Sequence, residues 1–169
     1  MKAKSIKGKS TEEIKSALQK SMTDGFKPTL AVAFLSIKQD RDAVCNLLNK
    51  KGIAIFGATT SGEFIDGEIE EGSIAIMLLD INPAYFKLLF LETGDHTTFE
   101  NAIQMGTEGK KVFTNPAFII ASGWLHIDGE HIIEGIEKGF GGEVTVFGGM
   151  AGDDLALQGP LVSRNNNLK

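Results

Sequence analysis

Ile53-Ala-Ile-Phe-Gly-Ala-Thr-Thr-Ser-Gly-Glu63 reads as a buried strand that breaks into a loop of small residues and ends on a carboxylate. The same construction recurs at Val144-Thr-Val-Phe-Gly-Gly-Met-Ala-Gly-Asp-Asp154. The flanks repeat as well. Pro28 opens the run Leu30–Phe34 and Pro116 opens Phe118–Ala121, a shift of 88 positions. Ala43, Val44, Leu47 and Gly52 correspond to Ile132, Ile133, Ile136 and Gly141 at a shift of 89. The Phe56-Gly57 and Phe147-Gly148 pairs are 91 apart. So slow a drift implies an internal duplication, and two equivalent loops imply one shared site.

Outward from these strands, the elements follow from local signals. Ser10-Thr-Glu-Glu13 is a capping box ahead of Ile14, Ala17 and Leu18. Leu30-Ala-Val-Ala-Phe-Leu35 is a continuous apolar run, as expected of a strand covered on both faces. A helix over Asp40–Lys51 ends at Gly52, where a C′ glycine belongs. Strand, helix and strand joined by short connections are most simply parallel. Hairpins then take over. Asp66-Gly67 suits a type I′ turn between Phe64 and Ile69, and Ser73–Leu79 and Tyr85–Leu91 read as strands around Asn82-Pro83. In the second half, Thr97-Thr-Phe-Glu100 caps a helix, Phe118–Ala121 is a strand, Gly129–Phe140 a helix and Val144–Phe147 a strand.

The expected fold is α/β: a mixed β-sheet flanked by helices, built by duplication of a helix–strand–helix–strand–hairpin unit. One domain should span residues 1–169, its first repeat at about 10–92 and its second at about 97–169. The second copy is truncated, since only 15 residues follow Asp154. A homodimer, or a C-terminal half beyond this sequence, is expected to complete the sheet. The unpaired edge should lie near Leu161–Val162.

Composition narrows the function. The chain has 169 residues, 42% hydrophobic and 23% charged, with 20 glycines, which describes an ordinary globular protein. A net charge of −5 argues against a nucleic-acid surface. Lys2, Lys4, Lys7 and Lys9 read as a solvated, partly disordered N-terminal tail. A single cysteine cannot form an internal disulfide. No apolar run reaches the roughly 20 residues that span a bilayer, and no signal peptide is apparent. A cytoplasmic location without membrane insertion is the expectation.

Gly57-Ala-Thr-Thr-Ser-Gly-Glu63, with Asp66-Gly67, the strand Ser73–Leu79 and Phe147-Gly-Gly-Met-Ala-Gly-Asp-Asp154, resembles the N-terminal part of a FIST domain. The resemblance runs from about Pro28 to Val162. It implies a sensory, signal-transduction module that binds small ligands such as amino acids. A member of that family would carry further strands and a C-terminal half.

The loops support such a role chemically. Gly57 and Gly62 let the backbone turn sharply and present N–H groups, and Thr59, Thr60 and Ser61 add hydroxyls. A phosphate loop would continue with Lys-Ser/Thr, but Glu63 stands there and attracts an ammonium instead. Gly149, Gly152, Asp153 and Asp154 offer the same set in the second copy. Donors for an anion beside carboxylates for a cation suit a zwitterion, hence an amino acid or amine. The blander alternative is turn glycines with exposed acids.

Other constellations carry less. Gly8-Lys9-Ser10 lacks the preceding strand and glycine of a P-loop. His126, Asp128, Glu130 and His131 have no third ligand at defined spacing, so no metal is expected. Cys45 has no base beside it, Ser61 is in no nucleophile elbow, His96 precedes a capping box, and Trp124 can pack in a core or line a pocket. No cofactor is expected. A non-enzymatic sensor is the leading reading. The alternative is a small hydrolase or transferase pairing Glu63 with Asp153 or Asp154 as acid and base. A pure interaction domain is the third.

Overall fold

A computed structural model describes residues 1–91, 97–123, 128–152, 162–164 and 167–168. The chain separates into two compact units: residues 1–86 with 151–169, and residues 87–150.

The first unit is built on a six-stranded mixed sheet. Its strands are β1 (Lys2–Gly8), β2 (Leu30–Leu35), β3 (Ala54–Thr59), β6 (Ile74–Asp80), β9 (Val162–Arg164) and β10 (Asn167–Leu168), and the hairpin β4 (Glu63–Ile65) and β5 (Glu68–Glu70) stands apart. The spatial order is β1-β6-β2-β3-β9-β10. β2 and β3 are parallel, with Leu30 opposite Ala54 and Leu35 opposite Thr59. The remaining pairs in this sheet are antiparallel. The expected mixed α/β class is therefore what forms.

Helices α1 (Thr11–Ser21) and α2 (Arg41–Asn49) supply Ile14, Leu18, Val44, Cys45 and Leu48 to one core. Alternate residues of the sheet meet them: Ala31, Ala33 and Leu35 of β2, Ile55 of β3, and Ile74, Ile76 and Leu78 of β6. Such alternation buries one face. The unbroken apolar run at 30–35 implies burial on both sides, but the opposite face is not covered in the same way, because Phe34 is 37% and Met77 46% exposed. Helix ends follow local chemistry: Ser10 and Asp40 accept N-cap hydrogen bonds from Glu13 and Ala43, and Gly52 takes the left-handed conformation (φ 71°). Asp66 and Gly67 both have positive φ, as a type I′ turn requires.

Three expectations are corrected. The basic N-terminal segment is an edge strand, β1, paired with β6 along its whole length. Ile6 points into the core, and Lys4 donates to Ser21 O (2.6 Å) and Asp24 (2.7 Å). Lys7 pairs with Glu68, and Lys9 with Glu70 at 3.6 Å. Lysines on an edge strand also discourage further pairing. Second, Tyr85–Leu91 is not a strand: Pro83–Tyr85 makes a single 3-10 turn capped by Asn82, and residues 86–91 join no ladder among the described residues. Third, Val162 is not an unpaired edge, since it sits opposite Ala58 of β3. Leu161 lies outside the described residues.

The second unit packs α3 (Thr98–Val112) and α4 (Gly129–Phe140) with a parallel pair, β7 (Ala117–Ser122) and β8 (Thr145–Met150). Among the described residues β7 and β8 pair only with each other. Thr97 and Glu100 complete the capping box in both directions. The core is Ala102, Ile132 and Ile136, with Met105, Phe118, Ile120 and Val146 around it. The two helices touch through small residues four apart, Ala102 and Gly106 against Gly135 and Gly139. A Cβ at Gly139 would lie 2.0 Å from Ile103 O, and one at Gly106 would lie 2.1 Å from Ile136 O. Only glycine permits that approach.

Candidate ligand-binding site

Open α/β sheets bind ligands at the carboxyl ends of their parallel strands, where connecting loops converge. In the first unit that place lies beyond Leu35 and Thr59, and a cleft of ≈ 230 Å³ is found there. Ser36, Ile37, Gln39, Asp40, Arg41 and Asp42, from the turn into α2 and its start, line it together with Thr59.

The loop after β3 is held from within. Glu63 is 3% exposed, so its carboxylate needs hydrogen bonds to remain buried. Oε1 accepts from the Thr60 hydroxyl at 2.7 Å, and Oε2 accepts from Ser73 N–H (2.9 Å) and Oγ–H (3.1 Å). Ser73 O in turn accepts from Ser36 N–H at 3.1 Å. Glu63 therefore links the loop after β3 to the loop after β2. Gln39 closes the same region by donating to Lys9 O (3.1 Å) and Gly72 O (2.7 Å).

The residues singled out from sequence divide accordingly. Thr59 is buried and lines the cleft, while Thr60 braces Glu63. Ser61 is exposed and Gly62 half-buried; Gly62 has no positive φ, and a Cβ there would meet nothing within 4 Å among the described residues. That position does not require glycine. Gly57 does, but for a reason other than turning: it lies inside β3, where a Cβ would come 1.9 Å from Ala33 O. Gly148 repeats this against Ile120 O in β8, also at 1.9 Å. Gly149 belongs to β8 rather than to a loop. Gly152 donates its N–H to Thr59 O at 2.9 Å, and a Cβ there would meet Ser61 Oγ at 2.5 Å. Asp153 and Asp154 lie outside the described residues, as do His96, Trp124 and His126. Among the described residues no three acids, histidines or cysteines cluster as a metal site, and no helix is long and apolar enough to cross a membrane.

Sequence reading passed over Ser36, Gln39, Asp40, Arg41 and Asp42. Their signal was positional: the turn after the first parallel strand is as usual a ligand site as the turn after the second. Arg41 matters most. Its side chain is 16% exposed, with Nε and Nη2 each 3.4 Å from Asp42 Oδ1. Nη1 is fully buried without a hydrogen-bond partner among the described residues.

The first unit is thus a mixed α/β domain with a small polar cleft at the carboxyl ends of its parallel strands, the usual place for a ligand in such sheets. The family follows from comparison: the FIST N domain model matches residues 29–169, and the chain belongs to that family. FIST domains are sensory domains of signal-transduction proteins. Comparison with curated proteins and with solved structures gives no match.

Proposed function

We propose that this chain is a non-enzymatic sensor of a small polar ligand, an amino acid or amine, which it holds in the cleft beyond β2 and β3. The cleft itself carries the reading. At ≈ 230 Å³ it is below the roughly 300 Å³ at which drug-sized pockets begin. Its lining joins hydroxyls, carboxylates and a guanidinium, a set that suits a ligand with both charges. Thr59 contributes directly, Thr60 and Glu63 brace the loop after β3, and Gly152 donates to Thr59 O beside it. The acid–base alternative finds less support, because Glu63 spends both oxygens on Thr60 and Ser73. A cytoplasmic location rests on composition.

Thermal denaturation of the chain against a panel of amino acids and amines tests this. A ligand at a hundred times its Kd stabilises by about 2.7 kcal/mol, which raises Tm by roughly 5–10 °C for a chain of this size. A panel in which no member moves Tm would overturn the proposal.

A further inference from the structure

We infer that the groove between α1 and α2 docks an acidic amphipathic helix of a partner protein. The groove shares no lining residue with the cleft beyond β2 and β3, so the inference stands whether or not a ligand binds there. Each helix buries one stripe in the core, Ile14 and Leu18 from α1, Val44 and Leu48 from α2. A neighbouring stripe on each turns to the groove: Thr11, Lys15 and Leu18 on one side, Ala43, Leu47 and Lys50 on the other. Both are spaced i, i+4, i+7, the track along which a third helix packs. The groove has a volume of ≈ 630 Å³, and its walls run for about 12 Å.

Floor and rim differ in chemistry. Leu18 is buried and Ala43 and Leu47 are half-buried, so the floor is apolar. Lys15, Lys50 and Lys51 stand exposed on the rim against one acid, Glu12, a net of +2 in a chain of net −5. Among the described residues these three lysines have no carboxylate partner, whereas Lys4, Lys7 and Lys9 each have one. Lys50 and Lys51 complement the carbonyl end of α2. Lys15, in the first half of α1, meets no such need. A cationic rim on an anionic molecule steers an acidic segment to this place and repels it elsewhere. A small anion would use the rim and leave the apolar floor idle. A helix whose leucines reach the floor while its glutamates meet the lysines uses both.

The probe is a synthetic helix of about fifteen residues with leucines at i, i+4 and i+7 flanked by glutamates. It would be titrated into the full chain and followed by backbone amide NMR. Saturable shifts should appear in α1 and α2, above all at Lys15, Leu47 and Lys51, and affinity should fall as salt rises. A peptide with lysines for the glutamates should not bind, and one with serines for the leucines should bind at least about tenfold more weakly. Lys15→Glu together with Lys50→Glu should weaken the acidic helix about tenfold and admit the lysine peptide instead. Should that double variant fail to fold, the shift map and the two control peptides on the unaltered chain decide. Shifts confined to other elements, or equal binding of the lysine and glutamate peptides, overturn the inference. Equal binding of the serine peptide, or inorganic phosphate moving the same amides as far, overturns it in favour of a plain anion site. Stronger uptake by vesicles of phosphatidylcholine and phosphatidylglycerol overturns it in favour of a membrane surface. If the glutamate helix does not bind at all the inference falls, and the sensor reading is still judged by the thermal panel.

Discussion

At Glu63 the loop chemistry visible in the sequence and the role found in the structure part ways. A carboxylate ending a small-residue loop invites an ammonium, but this one is buried and accepts three hydrogen bonds from Thr60 and Ser73. Sequence shows the acid and its neighbours, while Ser73 lies ten positions on and its approach depends on the hairpin between. Glu63→Gln keeps the shape yet replaces an acceptor oxygen by a donor, so a stability loss of about 1–3 kcal/mol is expected in urea denaturation. Arg41 was silent for the opposite reason, since burial of one guanidinium nitrogen has no signature in residue type or spacing. Glu108 offers a residue with a measurable titration. Hydrogen bonds from Lys111, then Lys87, hold its carboxyl down at about 2, against an ordinary value of 4.5. A depressed value means the ion pairs contribute above the ordinary range and are lost as pH falls from about 4.5 through about 2. Carboxyl NMR should report that low midpoint, and Lys111→Met should move it upward.

Elements whose signals are local were legible. Capping residues, the Asp66-Gly67 turn and the two parallel strand pairs all stand where patterning puts them. Elements decided by distant partners were not. β1 looked like a tail because its lysines dominate composition, although Lys4, Ile6 and Gly8 alternate with outward residues. Residues 86–91 are apolar enough for a strand but find no ladder among the described residues. The small-residue seam of α3 and α4 is a spacing of four that helical periodicity conceals, since glycine adds nothing to an apolar stripe. There Gly139→Ala should act well beyond its mild intrinsic helix benefit. Its Cβ would lie 2.0 Å from a backbone oxygen that cannot rotate away, so about 1–3 kcal/mol of overpacking is expected. Hydrogen exchange in α3 and α4 should accelerate while α1 and α2 keep their protection.

For the molecule as a whole, class and family were within reach of the sequence, because each strand–helix–strand run with short connections already implies a parallel pair joined by a helix. Its partition into units was not. The first unit leaves at Phe86 and resumes at Ala151, so the second unit is spliced into its sequence. β9 belongs to the first sheet and pairs with β3, joining Ala58 to Val162. On the ribosome this imposes a timetable. β3 emerges early, and the strand that lies along its far side follows only after the whole second unit has been made. Until then the first sheet must hold one side open, and closing it requires an encounter between chain segments made far apart in time. Long-range pairing of this kind is slow. The second unit, whose strands and helices are all contiguous, is free to finish folding during the wait.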